Sequence, residues 1–179
     1  MRAPRDLLRR RTHLMRKRAA LLAPGQNTNA HDHPPAIGKK IAYKANREGV
    51  AHRFTAIAGH KAIEVDLALL TDYDALLSDL ARYLRKTAKH HAANPLSLLQ
   101  TGPGIGKLLS LVLRYESHDL DRFPRVQDFV SYGRLVKGAN ESAGKRSGTS
   151  GKNIGTAHLK GAFSEAAALL LRNHEPGQK

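Results

Sequence analysis

The sequence predicts a mainly α-helical protein, in which a basic helix and a long coiled-coil-like helix precede a small helical domain. Three patterns support this fold class: near-helical leucine spacing over residues 3–22, sevenfold apolar spacing over 63–84, and a glycine turn at 101–106 between apolar segments. Apolar residues make up 41% of the 179 residues, enough for a real core. We expect a helical linker or coiled-coil region at 1–95, a compact C-terminal domain at 96–175 and a short tail at 176–179.

The first predicted helix covers residues 3–22 and ends before Pro24-Gly25. Residues 24–40 then form a connector, in which His31 and His33 have no cysteine neighbours and make only a weak metal-binding pattern, so we predict no metal ligands. Residues 41–60 are ambiguous, and a short strand near 41–43 stays open.

The second predicted helix is long and amphipathic, covering about 61–91 and ending at Asn94-Pro95. Its apolar residues recur every seven positions, as in a coiled coil: Ile63, Leu70, Leu77 and Leu84. The aspartates of this helix do not form a metal cluster, because they point apart and have basic neighbours; we expect them on a solvated face: Asp66, Asp72, Asp74 and Asp79.

The glycine turn reads Thr-Gly-Pro-Gly-Ile-Gly at 101–106, and the apolar run 108–113 follows Lys107. Glycines permit positive φ, so backbone amides at the start of the next helix can face a phosphate. We predict a helix-hairpin-helix motif, which grips a nucleic-acid backbone without reading bases. A P-loop does not fit, because Lys107 is followed by Leu108 and Thr101 stands where its first glycine is required. A helix corner without a ligand is the plainer alternative.

The charge balance indicates a polyanionic partner. Thirty Lys and Arg against 15 Asp and Glu give a formal charge of +15. Basic residues cluster over 1–22 and 134–160, and no apolar run approaches the roughly 20 residues of a membrane span, so nucleic acid is favoured over a membrane. Cysteine is absent, which excludes disulfides, thiol catalysis and cysteine-ligated zinc.

The rest of the predicted C-terminal domain contains a turn at 122–124, a helix carrying Val126, Phe129 and Tyr132, and a last helix from about Thr156. Residues 138–155 are rich in glycine, serine and cations, and we expect a loop there, on the surface or over a site.

Taken in order, the motifs from Leu99 to Leu170 resemble the C-terminal domain of the insertion sequence 110/116/902 family of bacterial transposases. The motifs that carry the resemblance are Thr-Gly-Pro-Gly-Ile-Gly at 101–106, Asp-Arg-Phe-Pro at 121–124, Asp-Phe-Val-Ser-Tyr-Gly-Arg-Leu-Val at 128–136, Glu-Ser-Ala-Gly-Lys at 141–145 and Ile-Gly-Thr-Ala-His-Leu-Lys at 154–160. The basic helix and the long helix resemble the linking coiled-coil region of the same family.

The resemblance implies a DNA recombinase with a composite active site, guided by a structured RNA. The family serine best matches Ser142, and its hydroxyl would attack a DNA phosphodiester while Lys145 and Arg146 stabilise the added negative charge. From composition alone, Ser147 and Ser150 serve equally well. We expect DNA contacts from the glycine turn, the cationic loop and the first helix: Gly102, Gly104, Ile105, Gly106, Lys107, Lys145, Arg146, Lys152, Arg9, Arg10 and Arg11.

The resemblance also implies an N-terminal RuvC-like domain with four acidic Mg²⁺ ligands, for which this sequence has no matching motif. We therefore expect a truncated transposase that has no cofactor of its own and acts in the cytoplasm at the bacterial nucleoid. Two alternatives stay open. One is a stand-alone nucleic-acid-binding protein that uses arginines of the first helix, including Arg16 and Arg18; the other is a modulator that pairs with a second copy or a full-length transposase through the 63–84 helix.

Overall fold

A computed structural model describes residues 2–22, 39–91, 93–136, 139–142, 145–149 and 155–173. Two compact units divide the chain: a central unit, Arg9–Tyr83, and a terminal unit, Met1–Leu8 with Leu84–Lys179. The connector histidines, His31 and His33, lie outside the described residues, so the prediction of no metal site there stays a prediction.

The described fold is mainly helical, which confirms the predicted fold class at that level. Its α-helices are α1 (Arg2–Leu22), α2 (Ile57–His91), α3 (Ala93–Gln100), α4 (Lys107–Ser117), α5 (Val126–Tyr132) and α6 (Ala157–Asn173). None of the helices in the described residues has the length and apolarity to cross a membrane.

The central unit contains three short 3-10 turns before α2, at Lys39–Ala42, Lys44–Asn46 and Ala51–Arg53. The first of these turns covers residues 41 and 42, where the sequence left a short strand as an undecided possibility. Its core consists of Ile41, Val50, Phe54 and Ile63, with Leu22 and Leu67 packed against them. The long helix begins four residues earlier than predicted, at Ile57.

In the terminal unit, α2 ends at His91 and α3 starts at Ala93, so Asn94 and Pro95 belong to the first turn of α3. Proline is tolerated there because the first amides of a helix have no intrahelical acceptor. One core cluster joins Leu8, Leu84, Ala88, Leu96, Leu111 and Tyr115. A second joins Leu109, Leu113, Leu159, Ala162 and Ala166, and therefore packs α4 against α6.

The segment expected to be a loop at 138–155 contains two short strands, β1 (Ala139–Ser142) and β2 (Lys145–Thr149). They pair antiparallel, with Ala139 opposite Thr149 and Ser142 opposite Lys145. The strands contain few large apolar residues, so the alternation that usually signals a strand was missing from the sequence.

Candidate nucleic-acid interface

The glycine turn joins α3 to α4 through local backbone hydrogen bonds. The amide of Gly102 donates to the carbonyl of Leu99 at 3.2 Å, and the amide of Ile105 donates to the carbonyl of Gly102 at 3.1 Å. The Ile105 side chain then packs into the cluster between α4 and α6. The predicted helix, turn and helix are present, and their assignment as a helix-hairpin-helix motif stays a prediction.

Gly104 packs the turn against the backbone of α6. It has a φ of +78°, and a Cβ built on it would lie 2.4 Å from the carbonyl oxygen of Ala166. Both facts require glycine, because an L side chain would be strained at this φ and would collide with backbone. Gly104 therefore has a packing role that sequence reasoning missed.

Gly106 and Lys107 form the surface side of the same turn. Gly106 is the N-terminal cap residue of α4, and no atom lies within 4 Å of a Cβ built on it. Both residues are exposed. Of the predicted turn contacts, these two are therefore the most accessible to a ligand, whereas Gly102, Gly104 and Ile105 are half-buried.

A polar contact ties the two helices of the turn together. The Nε2 of Gln100 donates to the Oγ of Ser110 at 3.2 Å, and that hydroxyl donates to the carbonyl of Lys107 at 3.0 Å. Ser110 has no exposed surface. The hydrogen bond between Gln100 and Ser110 joins the end of α3 to the first turn of α4. It therefore holds the turn that carries the exposed Gly106 and Lys107.

Ser142 ends β1, and its backbone lies opposite Lys145 in the hairpin. Arg146 stands one residue further along β2, opposite Glu141. The pairing therefore gathers the predicted nucleophile and two of the predicted cations into one hairpin. Lys152 and the alternative serine Ser150 lie outside the described residues.

The predicted arginines of α1 belong to the central unit and differ in their surroundings. Arg10 is exposed, while Arg9 and Arg11 are half-buried. Nη1 of Arg11 lies 3.0 Å from the Sδ of Met15. Arg18, a candidate contact of the stand-alone alternative, donates from Nε to Oδ1 of Asp74 at 2.5 Å and from Nη2 to the carbonyl of Ala42 at 2.7 Å.

Asp74 is not the solvated residue that the sequence suggested. Its second carboxylate oxygen, Oδ2, accepts a hydrogen bond of 2.5 Å from Nη2 of Arg47, whose side chain is 7% exposed. Burial alone would raise the pKa of Asp74, but hydrogen bonds from Arg18 and Arg47, together with their charges, lower it. Arg18 and Arg47 are thus partners of a carboxylate in the fold.

The described residues contain no group of three or more His, Cys, Asp or Glu side chains that could hold a metal ion. The described residues therefore do not provide a set of four acidic Mg²⁺ ligands, which the resemblance assigns to another domain.

Comparison with protein families identifies the region that contains the glycine turn, the strand hairpin and α6. Residues 96–179 match the transposase IS116/IS110/IS902 family. The resemblance predicted from the ordered motifs is confirmed over these residues. Further comparisons with curated proteins and with solved structures found no match.

Within the transposase-family region, the motif at 154–160 has a clear packing role. Gly155 has a φ of +83°, and a Cβ built on it would lie 2.2 Å from the carbonyl oxygen of Tyr132. The next residue, Thr156, donates from its amide to that carbonyl at 2.9 Å and from Oγ1 to the buried Glu116 carboxylate at 3.2 Å. Gly155 and Thr156 therefore connect α6 to the ends of α5 and α4.

In the motif at 121–124, an arginine lies over two neighbouring aromatic rings. The guanidinium of Arg122 lies 4.5 Å from the ring centroid of Phe123 and 4.4 Å from that of Tyr132. Sequence reasoning placed a turn at 122–124 but assigned Arg122 no role. The available signal was an arginine beside an aromatic residue in a motif of the family.

An apolar cavity of about 770 Å³ lies beside the glycine turn in the region that matches the transposase family. Leu98, Leu99, Ile105, Val126 and Phe163 contribute to its lining. Leu98 and Val126 are 74% and 75% exposed, so the cavity opens at the surface. The sequence did not predict it, because its walls come from four separate elements.

Proposed function

We propose that this chain binds DNA as part of an insertion-sequence transposase and supplies the serine nucleophile of the recombination reaction. The observation that carries the proposal is the family match over residues 96–179. A net charge of +15 supports it, because neutralising backbone phosphates is the main source of affinity for nucleic acid.

Ser142 is the proposed nucleophile because it best matches the serine of the motif that carries the resemblance, and it ends β1 in the same hairpin as Lys145 and Arg146. Its Oγ would give up its proton and form a bond to the phosphorus of a DNA phosphodiester, while the bond from phosphorus to one bridging oxygen breaks. That oxygen takes up a proton and leaves as a DNA hydroxyl, and the DNA stays joined to the serine through a phosphodiester. The two cations would stabilise the negative charge that develops on the phosphate.

The test is a covalent-adduct assay on the full chain with DNA that carries an insertion-sequence end. Because the resemblance assigns the acidic metal ligands to another domain, a RuvC-like domain of the same family and Mg²⁺ are supplied separately. We expect a DNA adduct with the wild type and none with Ser142→Ala. An adduct that persists in Ser142→Ala and disappears in Ser147→Ala or Ser150→Ala would assign the nucleophile elsewhere.

DNA binding itself is tested before catalysis, with labelled duplex DNA over a salt series. We expect log affinity to fall linearly and steeply with log salt, because cationic residues displace condensed counterions. Ser142→Ala should bind as tightly as the wild type. Parallel measurements with structured RNA test the proposed guide RNA, and an absence of binding to both at low salt would contradict the proposal.

A second proposed role, pairing with another transposase chain, is favoured by an apolar stripe on α2. Val65, Leu69, Leu76 and Tyr83 are between 40% and 55% exposed and are spaced so that they share one helix face. The heptad residues predicted for pairing differ, since Ile63, Leu70 and Leu84 are each 3% exposed or less within their own chain. We therefore propose the stripe, rather than the 63–84 heptad, as the pairing surface.

If this role is correct, the wild type sediments as an oligomer and the double variant Leu69→Glu/Leu76→Glu sediments as a monomer. Ser78→Glu, an exposed residue of the same helix, is the control and should leave the oligomer unchanged. A wild type that is monomeric alone and with a full-length transposase would exclude this role. Leu70→Glu is not a suitable variant, because Leu70 is 2% exposed and its loss would unfold the unit.

A further inference from the structure

A small cleft in the terminal unit is lined by basic residues only. Arg2 and Arg5, one turn apart at the start of α1, face His118 and Arg122 from the segment after α4. The cleft has a volume of about 390 Å³ and opens at the surface, where Arg2, His118 and Arg122 are exposed. None of its lining residues is a carboxylate, although the chain has 15 acidic residues.

Arg122 is held in place on its own side of the cleft. Its guanidinium lies over the rings of Phe123 and Tyr132, and its Nη2 donates to the carbonyl of Ser117 at 3.2 Å. These contacts use the π face of the guanidinium and one of its five N–H groups, so other N–H groups stay available for an acceptor. A cation fixed in this way loses little conformational entropy when it binds an anion.

His118 has a strained backbone beside this arginine. Its φ is +58°, which is unusual for a residue other than glycine, and its carbonyl accepts a hydrogen bond of 2.5 Å from Nη1 of Arg114. Strain of this kind persists where the surrounding structure determines it, and it often marks a functional site. The two nearest aspartates, Asp119 and Asp121, are exposed and contact each other: the amide of Asp121 donates to Asp119 Oδ1.

Arg5 contributes an unsatisfied polar group to the lining of the cleft. Its Nε is buried and has no hydrogen-bond partner among the described residues. A buried N–H without an acceptor is costly, and such groups are rare in folded proteins. An oxyanion in the cleft would give the Arg5 guanidinium, which lines it, a negatively charged hydrogen-bond acceptor.

We propose that this cleft binds a phosphate group of a nucleic-acid backbone, an inference that rests on the proposed function. Guanidinium groups match the geometry of phosphate oxygens, and three of them with an imidazole surround one small, open space. The cleft is lined by guanidinium and imidazole groups, and no Phe or Tyr ring of the described residues lines it for a base to stack on. It therefore positions the backbone and carries no sequence preference.

The first test compares Arg2→Ala/Arg5→Ala with Lys61→Ala/Arg82→Ala, which removes the same charge from exposed positions on α2. Binding of 20-base-pair duplex DNA and of structured RNA is measured over a salt series. We expect the cleft variant to bind about tenfold more weakly, with a salt slope lower by about 1, and the control to change less than threefold. A weakening confined to DNA or to RNA would show which of them supplies the phosphate. Circular dichroism verifies that both variants fold.

The second test titrates inorganic phosphate into the protein and follows the ring protons of His118 by NMR. We expect saturable shifts in the wild type and in the α2 control, and no saturable shifts in Arg2→Ala/Arg5→Ala. If the wild type binds nucleic acid and the cleft variant binds it equally well, the inference is wrong while the proposed function stands. If the wild type binds phosphate but neither DNA nor RNA, the proposed function and the nucleic-acid assignment both fail, and the cleft is a free-phosphate site.

Discussion

Two groups of arginines, one in each unit, have different surroundings, although every arginine adds one positive charge. In the central unit, Arg18 and Arg47 bind opposite oxygens of Asp74, and the Arg47 side chain is 7% exposed. In the terminal unit, Arg2, Arg5 and Arg122 surround a cleft that no carboxylate lines. The count of 30 Lys and Arg residues therefore overstates the number of cations available to a polyanion, because some of them, such as Arg18 and Arg47, bind the protein's own carboxylates.

The largest effect is expected from Asp74→Ala. The substitution leaves Arg47 buried without its carboxylate, and breaking such a pair should lower the free energy of unfolding by about 2–3 kcal/mol. Urea unfolding followed by circular dichroism measures this loss. Asp72→Ala, at an exposed position of the same helix, is the matched control and should change stability by less than about 0.5 kcal/mol. Equal losses in the two variants would mean that Asp74 has no structural role.

Acid should reproduce part of that loss. The pKa of Asp74 is lowered in the fold, since the contacts from Arg18 and Arg47 outweigh the effect of burial. A lowered pKa stabilises the protein above the unfolded-state pKa, and this stabilisation disappears as the pH falls through the lower, folded-state pKa. We therefore expect the difference in Tm between the wild type and Asp74→Asn to be constant above about pH 5 and to shrink below about pH 4. Asp128 and Glu64, whose pKa values are also lowered, are present in both proteins and cancel in this difference.

Arg122→Ala tests whether the arginine of the cleft is itself structural. It removes two ring contacts and one hydrogen bond to a carbonyl, but it leaves no buried charge unpaired because Arg122 is exposed. We expect a loss of about 1 kcal/mol in the free energy of unfolding. Arg125→Ala, which removes an exposed pair with Asp128, is the control and should change the free energy of unfolding less than Arg122→Ala does. A loss for Arg122→Ala as large as that for Asp74→Ala would remove the distinction between the two groups.

The helices could be predicted from the sequence because they depend on local periodicity. The first helix was expected at 3–22 and spans Arg2–Leu22, and the last was expected from about Thr156 and begins at Ala157. The strand hairpin was missed because its residues are small or polar and give no alternating apolar pattern.

The contacts that distinguish the two arginine groups are long-range, and the sequence could not predict them. Arg18 and Arg47 lie 56 and 27 residues from Asp74 in the chain. Gly104 was correctly singled out as a turn glycine, but its contact with the carbonyl of Ala166 depends on how α6 packs. Patterns within one element therefore located the candidate turn, whereas the cleft required residues from two distant segments of the chain.

The smallest effect is expected from Arg82→Ala, which sharpens the comparison with a third kind of arginine. Arg82 pairs with Asp79 at 3.4 Å on the surface of α2, and the two side chains are 73% and 75% exposed. Water and salt screen such a pair, so its loss should lower the free energy of unfolding by about 0.3 kcal/mol at low ionic strength. Urea unfolding at low and at high salt measures the effect, which should vanish at high salt. A larger loss that persisted at high salt would show that burial is not what separates structural arginines from surface arginines in this chain.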